Sequence, residues 1–276
     1  MTTYSSTYDR ATCVDDLCAI VESTGSDVIA RSVFYLEHGT RLGADHDDPV
    51  YRNRYVVVRI GTSFGACSCE AGRIGPHVAD FSGLSAAEIL RTAPAEVRMA
   101  VIDAVLADQR PHRDDPHGTV ITLPTGTPLE RAVARDDAII DLLDPPAGAT
   151  VALIGVVTPL VDAIIARGAT PLLCDRNMDT CLGLPVAHDA TDVLTDADIV
   201  LSTGMTVSDG SFDQIRTHCL EHTIPLYFYA QSGSAIIRHF LGDGVAGLTA
   251  EHFPFSQFSA DASPLYVYSS SRSENQ

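Results

Sequence analysis

Four short segments in the second half of the chain carry residue types able to hold a small ligand. The first is "VALIGVVTP", residues 151 to 159, with Gly155, Val156, Thr158 and Pro159 as candidates. It opens like a dinucleotide-binding turn, G-x-G-x-x-G, but Val157 takes the second glycine place and Leu160 the third. A β-branched side chain at the second place denies a pyrophosphate the close backbone approach it needs, which disfavours NAD and FAD. A nucleoside without a pyrophosphate, such as S-adenosylmethionine, needs no such approach.

The second segment is "DRN", with Asp175 and Arg176. Asp175 follows Gly155 by about 20 residues, where folds of this type place a carboxylate that accepts from both hydroxyls of a ribose. A solvated loop aspartate is the plainer reading. The third, "STGMTVSDGS", offers Thr203, Gly204, Met205 and Asp209. Gly204 suits either a close ligand or a tight turn, and Asp209 or Ser211 suits an ordinary helix cap. The fourth, "AQSGS", offers Gln231 and Ser232 as catalytic candidates, Gln231 because capping does not explain it.

These segments need a scaffold, and the pattern around them supplies one. Apolar runs "TVALIG", "ATPLLCD", "ADIVLSTG" and "IPLYFYA" alternate with helical stretches such as "PLVDAIIARG" and "DGSFDQIRTHCLEH". Strands apolar on both faces, joined by helices, predict parallel βαβ units with right-handed crossovers. In such a sheet the four loops converge on one rim, beyond the strands' carboxyl ends. The predicted class is therefore α/β, a Rossmann-like parallel sheet preceded by a smaller α+β domain.

The first half reads differently. "CVDDLCAIVES" has a helical stripe, "RSVFYLEHG" and "YRNRYVVVRIGTSFGAC" read as strands, and "SAAEILRTA" and "PAEVRMAVIDAVLAD" as two helices. "TPLERAVARDDAIIDLL" is a further helix, with Thr127 as N-cap, Pro128 at the first position and Glu130 completing a capping box. Its apolar stripe is Leu129, Val133, Ile139, Ile140 and Leu143. Pro145-Pro146 breaks the pattern, placing a boundary at about residues 144 to 149. The division is an α+β domain over 1–146, a Rossmann-like domain over 147–268 and a disordered tail over 269–276.

The chain has 276 residues, 45% of them hydrophobic, with 18 basic against 36 acidic residues. A net charge of −18 without a basic cluster argues against nucleic acid as a partner and against anionic membrane surfaces. No run of about 18 apolar residues predicts a membrane span. The N-terminal residues lack a basic then apolar leader pattern, so the expectation is a cytoplasmic protein with its seven cysteines reduced. Apolar edge strands suggest a homodimer.

Other chemistry is weaker. Cys67-x-Cys69 lacks a second pair at zinc-like spacing, "HRDDPH" (His112, Asp114, Asp115, His117) reads mainly as a solvated loop, and His218 and His222 as a polar helix face. No metal ligand set is assigned. A thiol sensor at Cys67 and Cys69 would require an exposed, low-pKa thiolate. Tyr35, Glu37 and His38 end an early strand and could face an interdomain cleft, with Tyr35 the catalytic candidate.

With these residues in view, the second half resembles the prokaryotic "putative heavy-metal chelation" family. That family's first motif keeps Gly and Pro, matched by Gly155 and Pro159; its second keeps Thr-Gly and then Asn-Gly-Thr, matched by Thr203-Gly204 and loosely by Asp209-Gly210-Ser211. Its third, Gly-Pro-Ser-x-Pro, keeps only Ser232 here. The resemblance implies an enolase N-terminal-like first domain and a site between the two domains. The changed third motif implies a retuned ligand. The function expected is a small-molecule enzyme binding S-adenosylmethionine or a related nucleoside metabolite, for group transfer or cyclisation. The alternative is a non-enzymatic binder of heavy metal or a metal chelate.

Overall fold

The computed structural model describes residues 7–41 and 50–270. In chain order, α1 (Val14–Thr24) leads into a meander of β1 (Ala30–Arg41), β2 (Val50–Ile60) and β3 (Ser63–Ser68). Then come α2 (Ala86–Thr92), α3 (Ala95–Gln109), β4 (Thr119–Leu123) and α4 (Pro128–Leu143). The alternating half runs β5 (Thr150–Ile154), α5 (Thr158–Ala166), β6 (Thr170–Cys174), β7 (Thr180–Cys181), β8 (Leu184–Ala187) and α6 (Thr191–Leu194). It continues with β9 (Ile199–Thr203), α7 (Met205–Asp209), α8 (Phe212–His222), β10 (Leu226–Ala230), α9 (Ser234–His239), β11 (Gly247–Ala250) and β12 (Ser263–Ser269).

β1, β2 and β3 form an antiparallel sheet, and the other nine strands a second one in the order β4-β12-β11-β10-β9-β5-β6-β8-β7. Its centre is parallel: β8, β6, β5, β9, β10 and β11 all run the same way. The strand order reverses at β5 and β9, which makes their carboxyl ends the topological switch point. The parallel strands are buried on both faces, Val151, Leu153, Val200 and Leu201 being 0–1% exposed. Each such side chain contributes roughly 1.5–3 kcal/mol by leaving water. The mixed α/β class with a small antiparallel sheet is as expected.

Two capping boxes form, the one at Thr127 as the sequence predicts. Thr127 and Glu130 cap α4, and Ser85 and Glu88 cap α2. The stripe on α4 needs correction: Leu129 and Val133 are 43% and 45% exposed, and Arg131, Ala132 and Asp136 are buried instead.

The expected boundary at residues 144 to 149 separates segments of the chain but not layers of the fold. β4 and α4 precede it, yet β4 pairs with β12 and α4 packs on α5, β11 and β12. β12 and its outer partner β4 stand outside the alternating strand–helix pattern. One apolar core runs from Leu17 and Val58 through Ala100 and Ile102 on α3 to Val200, Ile236 and Tyr268. Helix α3 is apolar almost all round because it is covered on one side by β2 and β3 and on another by α9. A β-carbon on Gly65 would come within 2.4 Å of backbone atoms of α3, so glycine is what lets helix and sheet meet that closely. Residues 271–276 of the expected disordered tail lie outside the described residues. No helix among the described residues is long and apolar enough to cross a membrane.

Candidate functional site

A cavity of about 650 Å³ lies at the switch point, between the carboxyl ends of the parallel strands and the antiparallel sheet. On the parallel-sheet side it is lined by Gly155, Val156 and Val157 after β5, Asp175 after β6, Thr203, Gly204 and Met205 at the end of β9, and Gln231 and Ser232 after β10. On the opposite side it is lined by His38 from β1, Arg54 and Tyr55 from β2, and Cys69 just after β3. The four sequence segments therefore converge as the alternating pattern implies.

Their individual contacts qualify their roles. Asp175 Oδ2 accepts the Val156 amide at 3.0 Å and Oδ1 accepts the Asn177 amide at 2.9 Å. Each carboxylate oxygen retains a second lone pair, so Asp175 braces the turn and can still accept from a ligand. Gly155 has φ +83°, and a β-carbon on it would lie 2.6 Å from Thr203 Cγ2. A β-carbon on Gly204 would lie 2.3 Å from the Ser232 carbonyl oxygen. Both glycines are thus demanded by neighbouring protein atoms, before any ligand is considered.

Five expected site residues do not line the cavity. Thr158 and Pro159 belong to the first turn of α5, where Thr158 Oγ1 sits 3.7 Å from Cys181 Sγ. Arg176 pairs with Asp209 at 3.2 Å, outside the cavity wall, and Asp209 Oδ1 also accepts the Ser211 amide and hydroxyl. Tyr35 fails for a reason of strand geometry: side chains alternate along β1. Tyr35 packs against the main core, and its hydroxyl donates to Glu37 at 3.1 Å. His38, on the other face, lines the cavity and stacks over Tyr55.

The residues that sequence reasoning missed come mostly from α4 and the segment after β11. Pro128, Arg131, Ala132, Arg135 and Asp136 all line the cavity. Their spacing of 0, 3, 4, 7 and 8 puts them on one helical face. Arg135 Nε donates to Glu251 Oε2 at 2.6 Å, and its Nη2 to Ser256 Oγ at 2.9 Å. Glu251 is 2% exposed. Burial alone would push its carboxyl up, but Arg135, Ser256 and Gln231 together hold it below the usual value. Arg131 donates to the backbone carbonyls of Ser256 and Asp261 and so fixes the segment after β11.

Gln231 is the hub of a directed network. Tyr55 donates to Gln231 Oε1 at 3.1 Å, while Gln231 Nε2 donates to Glu251 at 2.9 Å and to Gln257 Oε1 at 3.2 Å. Gln257 Nε2 in turn lies 3.4 Å from His38 Nε2, which must accept. Burial lowers the His38 pKa, so a neutral imidazole suits this role. Burial, reinforced by Glu251, raises the Tyr55 phenol, which therefore stays a donor. Gln231 thus carries the polar chain from one sheet to the other.

Asp136 is the anomaly. It is 6% exposed, lines the cavity, and its Oδ2 has no hydrogen-bond partner. Burial pushes its carboxyl up to about 7, against the opposing pull of Arg135.

The thiols are poor nucleophiles. Burial holds the Cys67 thiol well above its ordinary value and pushes Cys69 up to about 11. This is opposite to what a thiolate sensor requires. "HRDDPH" also departs from a solvated loop, since His112 and Asp115 are 3% and 6% exposed. Among the described residues no three His, Cys, Asp or Glu side chains gather in a group able to hold a metal ion.

Comparison with known proteins agrees with the motifs. Residues 137–226 match the family model described as "Putative heavy-metal chelation" (DUF364), so the resemblance seen at Gly155–Pro159 and Thr203–Gly204 holds. A DUF364 protein of unknown function from Desulfitobacterium hafniense is similar in structure, with TM-score 0.61 and 12% identity, covering 92% of this chain and 98% of that one. Another, from Pyrococcus horikoshii, has TM-score 0.55 and 14% identity, covering 92% of this chain and 99% of that one. At these identities the likeness is one of fold. No curated protein sequence matches the chain.

Proposed function

We propose that the protein is a small-molecule enzyme that binds a nucleoside-bearing metabolite, S-adenosylmethionine foremost, in the switch-point cavity. The observation that carries this reading is the cavity itself, about 650 Å³ at the carboxyl ends of β5 and β9, with Asp175 on its wall. That volume is in the range of metabolite sites, roughly 300–1,000 Å³.

The residues present fit such a group. Val156, Val157, Leu160 and Met178 form an apolar stretch of lining suited to a base. Asp175 has lone pairs left for ribose hydroxyls, and the charged and amide side chains of Arg135, Glu251 and Gln231 suit an amino-acid moiety. When bound, a sulfonium supplies an activated alkyl group for transfer or cyclisation. The chain's own contribution is positioning: the antiparallel sheet closes over the rim, limits water and aligns the reacting atoms. The cross-sheet network through Gln231 holds that closed arrangement.

Heavy-metal chelation, the activity named in the family description, is the competing reading. The described residues offer it no three-donor cluster.

The test is isothermal titration of metal-stripped protein with S-adenosylmethionine, repeated with Asp175→Ala after its melting curve confirms folding. Micromolar binding that is lost in the variant supports the proposal. Absence of heat with the nucleoside, alongside saturable binding of a transition metal, overturns it in favour of chelation.

A further inference from the structure

The face of α4 that lines the cavity continues, one turn later, into a purely apolar stripe. Ile139, Ile140 and Leu143 are buried against Val151, Leu153 and Leu160. Asp136 stands where that stripe meets the cavity. A carboxyl in such a place is costly unless paired, and every other buried carboxyl close to the cavity is paired: Glu251 holds Arg135, Ser256 and Gln231. Asp136 Oδ2 has no hydrogen-bond partner. Its neighbour Arg135 turns to Glu251, leaving it without the cation that sequence adjacency offers. Asp136 lines the cavity, is more than nine-tenths buried and has a carboxyl oxygen with no hydrogen-bond partner, which makes its carboxyl a group kept free for a ligand.

We propose that Asp136 is the proton-transfer residue of this cavity, acting as general base toward a nucleophile bound there. The inference rests on the reading of the cavity as a reaction site. In the step, the Asp136 carboxylate takes the proton from an O–H or N–H of the nucleophile. The electron pair left on the nucleophile forms the new bond to the electrophilic carbon, and the leaving group departs with its bonding pair. The carboxylate accepts no hydrogen bond at Oδ2, so the charge it loses on taking the proton is not one that oxygen's neighbours hold in place.

The carboxyl is also poised for this work. Burial raises it, Arg135 lowers it, and Asp137 and Glu251 raise it, leaving it at about 7. Tyr229 on β10 also feels the Asp136 charge, and burial keeps its own phenol protonated. A base is most effective when its pKa lies near the working pH.

Wild type, Asp136→Asn and Asp137→Asn are incubated with S-adenosylmethionine plus the small-molecule fraction of a cell extract, and consumption is followed by mass spectrometry. Asp136→Asn is expected to slow consumption about 100-fold or more, in line with general-base contributions. Titration calorimetry should show its nucleoside affinity within about threefold of wild type, as expected of a group acting on the step rather than on binding. The exposed neighbour Asp137→Asn should keep the wild-type rate at pH 8, its only effect a small downward shift of the inflection, since Asp137 helps raise the Asp136 carboxyl. The wild-type rate should rise with pH through one inflection near 7, and equal rates for wild type and Asp136→Asn would overturn the proposal.

If wild type shows no heat with S-adenosylmethionine, the ligand reading fails by itself and Asp136 is tested directly. Infrared difference spectra across pH 5 to 9 should then contain a protonated-carboxyl band that titrates near 7 and is missing in Asp136→Asn. Absence of that band in wild type overturns the assignment.

Discussion

The Tyr229 hydroxyl donates to the Gly155 carbonyl oxygen at 2.6 Å, and that same hydroxyl lies 2.8 Å from where a β-carbon on residue 155 would be. The turn after β5 is therefore shaped around a side chain from β10, two strands away in the sheet. The glycine that looks like the start of a nucleotide fingerprint is required by protein packing, and the cavity inherits its shape from that contact.

Gly155→Ala should accordingly unfold the protein at lower denaturant. It combines a positive φ of +83° with overlap against Thr203 and Tyr229. The backbone strain alone costs about 1–3 kcal/mol. Tyr229→Phe removes the hydroxyl but leaves both φ and Thr203, so the double variant should recover only part of the loss. Equilibrium urea unfolding of the three variants checks this, and full recovery in the double variant would assign the whole effect to Tyr229.

Asp103 on α3 ties β3 of the antiparallel sheet to helix α9 through backbone amides. Its Oδ2 accepts from Ala66 on β3 at 2.9 Å, and its Oδ1 from Ala235 and Ile236 at the start of α9, at 2.8 and 3.3 Å. Burial nevertheless pushes its carboxyl up to about 6, since the three amides only partly offset the loss of water. Asp103→Ala leaves these three amides without an acceptor and should cost roughly 3–9 kcal/mol at about 1–3 kcal/mol each. Amide hydrogen exchange at Ala66, Ala235 and Ile236 should accelerate together. Unchanged exchange at those three sites would show that Asp103 is not what holds the halves in register.

Acid should weaken the fold through its buried imidazoles. His112 is held between Tyr268, at 2.8 Å from Nδ1, and Ser234, at 3.2 Å from Nε2. Burial, then Arg238, drives its pKa well below the ordinary value, and the same two causes in the same order lower His252 to about 4. Both folded-state values lie below the unfolded one, about 6.5. Their contribution is therefore complete above about pH 6.5 and lost as pH falls toward 4, His252 accounting for about 3 kcal/mol. Asp103 and Asp136, raised to about 6 and about 7, act in the opposite sense and lose their contribution as pH rises through those values. Melting temperatures from pH 4 to 8 for wild type and His252→Gln separate the two sets, because only the imidazole slope should flatten in the variant.

What the sequence determined by itself was local. Uninterrupted apolar runs alternating with helices specify a parallel sheet, because strands covered on both faces leave no polar side to show. Thr127 with Glu130 announces a helix start, since the amides they satisfy lie within three residues. The convergence of Gly155, Asp175, Thr203 and Gln231 on one rim follows from the direction of parallel strands.

Tertiary structure decided the rest. That Tyr35 faces the core while His38 faces the cavity depends on which side of β1 the helices cover, and period-two alternation leaves that open. β4 and β12 join the large sheet through a pairing between segments more than a hundred residues apart, with no local signature in either. Gln231 finds Tyr55 across 176 residues of chain. Arg131, Arg135 and Asp136 lie on one helical face, and only the position of α4 over the switch point turns that face into a cavity wall. Spacing along a chain fixes which side chains share a face, whereas packing against distant elements selects which of those faces is hidden from water.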